Sequence, residues 1–253
     1  MNIKKQSHPG LLTISETVEL TGLSLSTLRR WDALGTLKSF RKSPHGNRYY
    51  HRVDIDNYLL QKQDISTLAK QWVQNKTAVE LSETFYCQTR DVFSVRLERL
   101  QNELSKAASS QAHDDLISVI IAMAGEIGNN SFDHNLGNWP DIPGIFFGYN
   151  SKLNQLILAD RGRGILTTLK QVRPMLKKDA QALKVAFTET ISGRAPEARG
   201  NGLKFVRKIV TNNPIKLWFL SGSAELHLKQ GDEKLHIREI SPTVRGCLAI
   251  IKY

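Results

Sequence analysis

Apolar positions along the chain fall into three rhythms. Between residues 12 and 59 they arrive in short bursts closed by glycine: Val18 and Leu20 before Gly22, then Leu28, Trp31 and Leu34 before Gly35. A spacing of three suits one face of a helix, so each burst predicts a short helix. Thr13 or Ser15 is placed to cap the first helix and Ser24 or Ser26 the second, and each glycine is placed to end one. Leu37 to Phe40 and Arg48-Tyr49-Tyr50 flank the turn Ser43-Pro-His-Gly-Asn47, which predicts a β-hairpin. Val53, Ile55, Tyr58 and Leu59 then supply the face of a third helix.

The second rhythm runs from residue 63 to 112, a stretch with no Gly and no Pro, which predicts continuous helix. Phe93, Leu97, Leu100 and Leu104 follow each other at spacings of four, three and four, with Arg96, Glu98, Arg99 and Glu103 on the faces between. That spacing fits two readings, the seam of a coiled-coil dimer or a helix packed onto the domain that follows. Trp72, Phe85 and Tyr86 read as core residues, and His113 as a solvent-facing residue at a helix start. The third rhythm alternates element types. Leu116 to Asn135 reads as helix, with Ile117, Ile120, Ile121 and Ala124 apolar, and Leu153 to Ala159 as strand. Leu203 to Val210 reads as helix, and Ile215–Leu220, Glu225–Leu228, Leu235–Ile240 and Gly246–Lys252 as strands. The expected fold class is a multidomain α+β chain with boundaries at 1–62, 63–112 and 113–253. Its last part is expected to be an α/β sandwich, with helices on one face of a mixed antiparallel sheet.

Composition adds a partner class. The 253 residues carry a formal net charge of +11. Residues 1–62 hold ten Lys/Arg against five Asp/Glu, 63–112 six of each, and 113–253 nineteen against thirteen. Basic ends around a neutral middle point to a polyanion. Two cysteines, Cys87 and Cys247, offer neither a disulfide framework nor metal spacing. No apolar run reaches membrane-spanning length and none follows the N-terminal lysines, so a cytoplasmic protein is expected.

Three motifs carry candidate chemistry. In Glu126-Ile-Gly-Asn-Asn130-Ser-Phe-Asp133-His134, Glu126 and Asn130 lie four apart and share a helix face. A carboxylate there suits a general base, and an amide carbonyl suits Mg²⁺. Asp160-Arg-Gly162-Arg-Gly164-Ile165 sets a carboxylate at a strand end before a glycine turn. Arg199-Gly200-Asn-Gly202-Leu203 sets another glycine turn at a helix start, where backbone N–H groups suit phosphate. Taken singly, the first reads as a polar helix end, and the second, the strongest of the three, has an Asp-Gly hairpin as its competing reading.

In this order the three motifs resemble the GHKL ATP-binding domain (Bergerat fold) of gyrase, MutL and the histidine kinases. The resemblance implies ATP or ADP with Mg²⁺ as cofactor. It implies Glu126 as the catalytic base, Asn130 as the metal ligand and Asp160 as the adenine-specifying residue. Asp133, His134, Gly162, Gly164, Ile165, Arg199, Gly200, Gly202 and Leu203 would line the nucleotide, and Thr188 to Arg199 would form a lid. Two departures follow. Gly246-Cys247 stands where many relatives have Gly-Thr. Gyrase and MutL bring a lysine from a following domain, and the sequence to Tyr253 offers none, so binding with slow or absent hydrolysis is expected.

The N-terminal string Thr13-Ile14-Ser15-Glu16, Gly22-Leu23-Ser24, Ser26-Thr27-Leu28-Arg29-Arg30-Trp31 and Arg48-Tyr49-Tyr50 resembles the winged helix-turn-helix of the MerR and excisionase families. That implies double-stranded DNA as partner, read by paired modules of a homodimer. Ser26, Thr27, Arg29 and Arg30 would sit in the groove, with Arg41, Lys42, His45, Arg48 and Tyr50 on the flanking backbone. The expected function is a DNA-binding regulator modulated by nucleotide state. The alternative is a GHKL-type serine kinase or anti-sigma-like regulator acting on an unidentified protein.

Overall fold

The computed structural model describes residues 10–41, 43, 46–52, 54, 55, 58, 64–190 and 202–253. The chain divides into two compact units, Met1–Asp64 and Ile65–Tyr253.

The first unit begins with a strand that the apolar pattern did not announce, β1 (Leu11–Thr13). Helix α1 (Ile14–Thr21) follows at once, because Thr13 accepts from the Glu16 N–H while the Glu16 carboxylate accepts from the Thr13 N–H. Gly22 ends α1 at φ 66°, and Gly35 ends α2 (Leu25–Leu34) at φ 73°, left-handed values that cost glycine little. Ser24 caps α2. Strands β2 (Phe40–Arg41) and β3 (Arg48–His51) form the hairpin, and β1 pairs with the other edge of β3 to give the order β1-β3-β2. Leu12, Leu28, Leu37, Tyr50 and Ile55 make the core, with Ile14, Val18, Leu23 and Trp31 packed against it. Leu20 and Leu34 are 41% and 71% exposed, against the expectation that both face inward. A core of five residues is filled before the ends of such short helices reach it. Ile55 and Tyr58 are helical, as their spacing implies, whereas Val53 and Leu59 lie outside the described residues.

The second unit opens with α3 (Ile65–Gln74), followed by a short strand β4 (Tyr86–Cys87) and α4 (Arg90–Ala107). Helix is therefore not continuous over 63–112. Lacking Gly and Pro permits a helix without requiring one, and Thr89 starts α4 afresh as its N-cap. Helix α5 (Gln111–Asn135) lies along α4. The heptad-like seam is spent on that contact. Phe93, Leu100 and Leu104 are buried in the core of this unit, and Leu97 is packed against it. Phe93 sits so close to α5 that a β-carbon on Gly128 would fall 2.3 Å from its ring.

Then come β5 (Ile145–Asn150), β6 (Gln155–Asp160), α6 (Gly164–Lys170), α7 (Asp179–Thr188), α8 (Gly202–Asn212), β7 (Lys216–Lys229) and β8 (His236–Lys252). The sheet order is β4-β5-β6-β8-β7 and every pairing is antiparallel, so the sheet is not mixed. The four short strands expected after residue 215 are two long ones, interrupted only by a register break around Gly222. Both faces of the sheet are covered, not one. Ile145 and Phe147 point into the core under α5, while Phe146 points the other way and meets Phe85 and Trp72 of α3, with ring centroids 5.1 and 6.4 Å apart. Strands apolar on both faces need cover on both.

Candidate functional site

One cavity of the second unit gathers residues from all three motifs. Asn130 and His134 come from α5, Asp160 from the end of β6, Gly164 and Ile165 from the start of α6, and Gly202 and Leu203 from the start of α8. Ile127, Leu169, Ala186 and Phe219 add an apolar wall.

Asp160 is the chemical centre, 2% exposed. Ser131 Oγ donates to its Oδ2 at 2.7 Å, the Gly162 N–H donates to its Oδ1 at 2.8 Å, and the Cys247 N–H donates to it as well. Burial raises its pKa, and these three hydrogen bonds only partly oppose the rise, leaving it at about 6. A carboxylate so placed is ionised at neutral pH and still has lone pairs to offer a donor in the cavity. The glycines around it are sites of close approach. A β-carbon on Gly246 would fall 2.3 Å from both the carbonyl oxygen and Oδ1 of Asp160, and one on Gly162 would fall 2.2 Å from the Asn135 amide.

Not every motif residue reaches the wall. The cavity-facing stripe of α5 is Ile127, Asn130, Ser131, His134 and Asn135. Asp133 lies two residues past Ser131, about 200° round the helix, and pairs with Arg90 instead. Glu126 is also off the stripe and lies under α8, where a β-carbon on Gly202 would be 1.9 Å from its Oε1 and 3.0 Å from Asn130 Nδ2. Gly162 stands behind the wall against Asn135. Arg199 and Gly200, and the part of the expected lid from residue 191 onward, lie outside the described residues. Among the described residues no group of three or more His, Cys, Asp or Glu could hold a metal ion. An ion there would depend on Asn130 and on its ligand's own oxygens.

The sequence motifs assign no role to Ser131, Asn135, Thr168 or Ser221, which line or brace the cavity. Asn135 accepts from the Arg163 N–H at 2.8 Å and donates to the Ser131 carbonyl at 2.7 Å, fixing the glycine turn to α5. Ser221 accepts from the Ile165 N–H and donates to the Gly246 carbonyl, both at 3.0 Å, so one buried hydroxyl joins two glycine turns. The i, i+4 spacing of Ile127, Ser131 and Asn135 was the available signal. Cys247 Sγ lies 3.7 Å from that hydroxyl, its thiol pKa raised first by burial and then by the Asp160 charge.

In the first unit, Ser26, Arg29, Arg30 and Arg41 are exposed and Thr27 is half-buried. Ser24 Oγ lies 2.8 Å from Ser26 Oγ and 2.9 Å from Thr27 Oγ1, a hydroxyl cluster at the N-terminus of α2. Arg48 turns back to the helix, its Nε donating to Asp32 Oδ2 at 2.8 Å beside two bonds from Ser39. Burial raises the Asp32 pKa, but the Ser39 and Arg48 bonds outweigh it, and the net shift is downward. Tyr50 is not on the surface. It is 0% exposed, and its hydroxyl donates to the Leu28 carbonyl at 3.4 Å. Alternation along the central strand β3 turns Tyr50 inward to the helices, and the half-buried Tyr49 is its outward neighbour. Lys42 and His45 lie outside the described residues.

Two short helices joined by a glycine turn, the second with an exposed cationic and hydroxyl-rich N-terminal half, define a helix-turn-helix module. Residues 13–50 match the model of the MerR family regulatory protein, so this module is a MerR-family DNA-binding domain. No curated protein matches the chain. Among the described residues no helix is long and apolar enough to cross a membrane.

Proposed function

We infer that the chain is a transcription regulator in which a winged MerR-type module binds double-stranded DNA and a Bergerat-type Ile65–Tyr253 unit binds ATP or ADP. The observation that carries the nucleotide half is the convergence of three separated motifs on one cavity around a buried carboxylate. Its residues fit a purine nucleotide. Apolar surface from Ile127, Ile165, Leu169 and Phe219 lies in one cavity with the Asp160 carboxylate, an acceptor suited to an exocyclic amino group. Asn130 and His134 share the cavity with the first turn of α8, whose N–H groups favour an anion. Bound nucleotide would bring phosphate charge and, with Mg²⁺, the chemistry of phosphoryl transfer. The protein's own part is binding and orientation, with Glu126 as the general base held under Gly202. In this reading hydrolysis is slow or absent.

On the DNA side, Ser26, Thr27, Arg29 and Arg30 are the groove-facing residues and Arg41 reaches the backbone. Two copies reading paired half-sites remain the favoured assembly, formed through a surface other than the Phe93–Leu104 seam. A ligand shifts such a regulator only if it binds the two states with different affinity.

The test is calorimetry with Mg·ATP, Mg·ADP and Mg·GTP on the wild type and Asp160→Asn, followed by DNA binding with and without nucleotide. Adenine-selective heat that disappears in the variant supports the reading. Equal heats for ATP and GTP, or binding unaffected by the substitution, would remove Asp160 from its assigned role.

A further inference from the structure

Arg161 is the one fully buried cation among the described residues. It follows Asp160 directly, and the two side chains leave the chain on opposite sides of the sheet, Asp160 into the cavity and Arg161 toward α3. A guanidinium has five N–H donors, and all five are used. Nη1 donates to the carbonyls of Trp72 and Asn75, the second at 3.0 Å. Nη2 donates to the Lys76 carbonyl at 3.2 Å and to Asp141 Oδ2 at 2.6 Å, and Nε donates to the same oxygen at 2.9 Å. The guanidinium carbon lies 5.9 Å from the Trp72 ring centroid.

Those carbonyls close the C-terminal end of α3, where acceptors lack helical partners and the helix dipole favours a cation. Water or a glycine cap would serve a helix end without desolvating a charge, which is costly even when the charge is paired. What the buried arginine adds is a tie between three distant pieces of chain: the Asp160–Gly164 turn, the end of α3 and the 136–144 loop that carries Asp141. Asp141 stays ionised for the purpose. Its own burial opposes ionisation, but Arg161, the Ile142 N–H and Arg245 outweigh it.

We propose that Arg161 is a positioning residue that couples the occupant of the cavity to the C-terminal turn of α3, the helix that begins right after the MerR-type unit in sequence. The proposal rests on the nucleotide reading. A ligand that orders the Asp160–Gly164 turn restrains Arg161, and a guanidinium with no spare donor passes that restraint to residues 72–76. Lysine cannot substitute, because an ammonium has no planar fork to span three carbonyl groups and a carboxylate.

The experiment is amide hydrogen exchange on the full chain at saturating Mg·ADP, with calorimetry in parallel. In wild type, nucleotide is expected to slow exchange severalfold in peptides covering residues 72–77 as well as in those covering α5 and α8. In R161K and D141N at saturation, protection of α5 and α8 is expected to persist while protection of 72–77 is lost. A purely structural clamp would give the same exchange at 72–77 with and without nucleotide. Wild type that binds Mg·ADP without slowing 72–77, or variants that keep the effect, would overturn the coupling alone. Wild type that shows no heat of binding would overturn both the coupling and the nucleotide reading. The wild-type comparison decides the matter even where a variant fails to fold.

Discussion

Replacing Asp160 by Asn should separate binding from stability. The buried carboxylate has a pKa of about 6 instead of 3.8. The folded state therefore holds this proton more tightly than the unfolded chain does, and ionising it at neutral pH opposes folding. The shift of about two units corresponds to roughly 3 kcal/mol between the limiting protonation states. The sign is fixed by linkage. Asp160 contributes stability once protonated, so its contribution grows as pH falls through 6 and levels off near 3.8. Between pH 7 and pH 5 the wild type should gain about 1 kcal/mol relative to the non-titrating Asn variant. Urea unfolding of both proteins at pH 5, 6, 7 and 8, followed through Trp72, Trp139 and Trp218, measures the difference while every other titration cancels. At pH 7 the variant should be no less stable than wild type, since Asn can still accept from Gly162 and face the rotatable Ser131 hydroxyl. Nucleotide affinity should behave oppositely. If the bound state needs the ionised carboxylate, Mg·ADP should bind wild type about tenfold more weakly at pH 5 than at pH 7. Parallel pH profiles for the two proteins, or a variant several kcal/mol less stable throughout, would refute the assignment of a buried, elevated carboxyl.

Other expectations are narrower. Gly202→Ala sets a β-carbon on Glu126 Oε1, so calorimetry should show nucleotide binding lost or severely weakened while circular dichroism keeps the wild-type spectrum. Arg29→Ala should weaken DNA binding and reduce the salt slope of log K by about one; an unchanged slope in fluorescence anisotropy would move the DNA-facing surface elsewhere. Tyr50→Phe forfeits only a long hydrogen bond and should cost under about 1.5 kcal/mol, whereas Tyr50→Ala empties the core of the first unit and should cost about 3–5 kcal/mol by thermal unfolding.

Legibility differed by element for physical reasons. Helix ends in the first unit were readable because each has a local cause, Thr13 with Glu16 at one end and Gly22 or Gly35 at the other. The same local reading placed Leu34 inward, since spacing reports a face and not whether anything covers it. The hairpin pattern alone does not orient Tyr50, because it shows β2 and β3 but not β1, whose pairing makes β3 the central strand. In the second unit the motif residues that bend the backbone were found, while those that brace it were not. Ser221 and Asn135 act through partners 56 and 28 residues away, separations that no short motif spans. Helix periodicity likewise gave Glu126 and Asn130 a common face without showing that the cavity is centred nearer Ser131.

The cover that α3 lends the outer face of the sheet bears on how the chain comes to be folded during synthesis. Helix α3 is the first element of its unit to be made, yet it rests on β5, β6 and β8, and β8 is the last. The Trp72 carbonyl waits 89 residues for Arg161. The segment matching the MerR family closes through pairings of β1, β2 and β3 within a few dozen residues, so it can fold as it emerges. Contacts of long sequence separation form late, and α3 therefore keeps Ile65, Ala69 and Trp72 without their full cover until β8 has been made. Apolar surface left uncovered in this way is what makes a partly folded chain prone to aggregate.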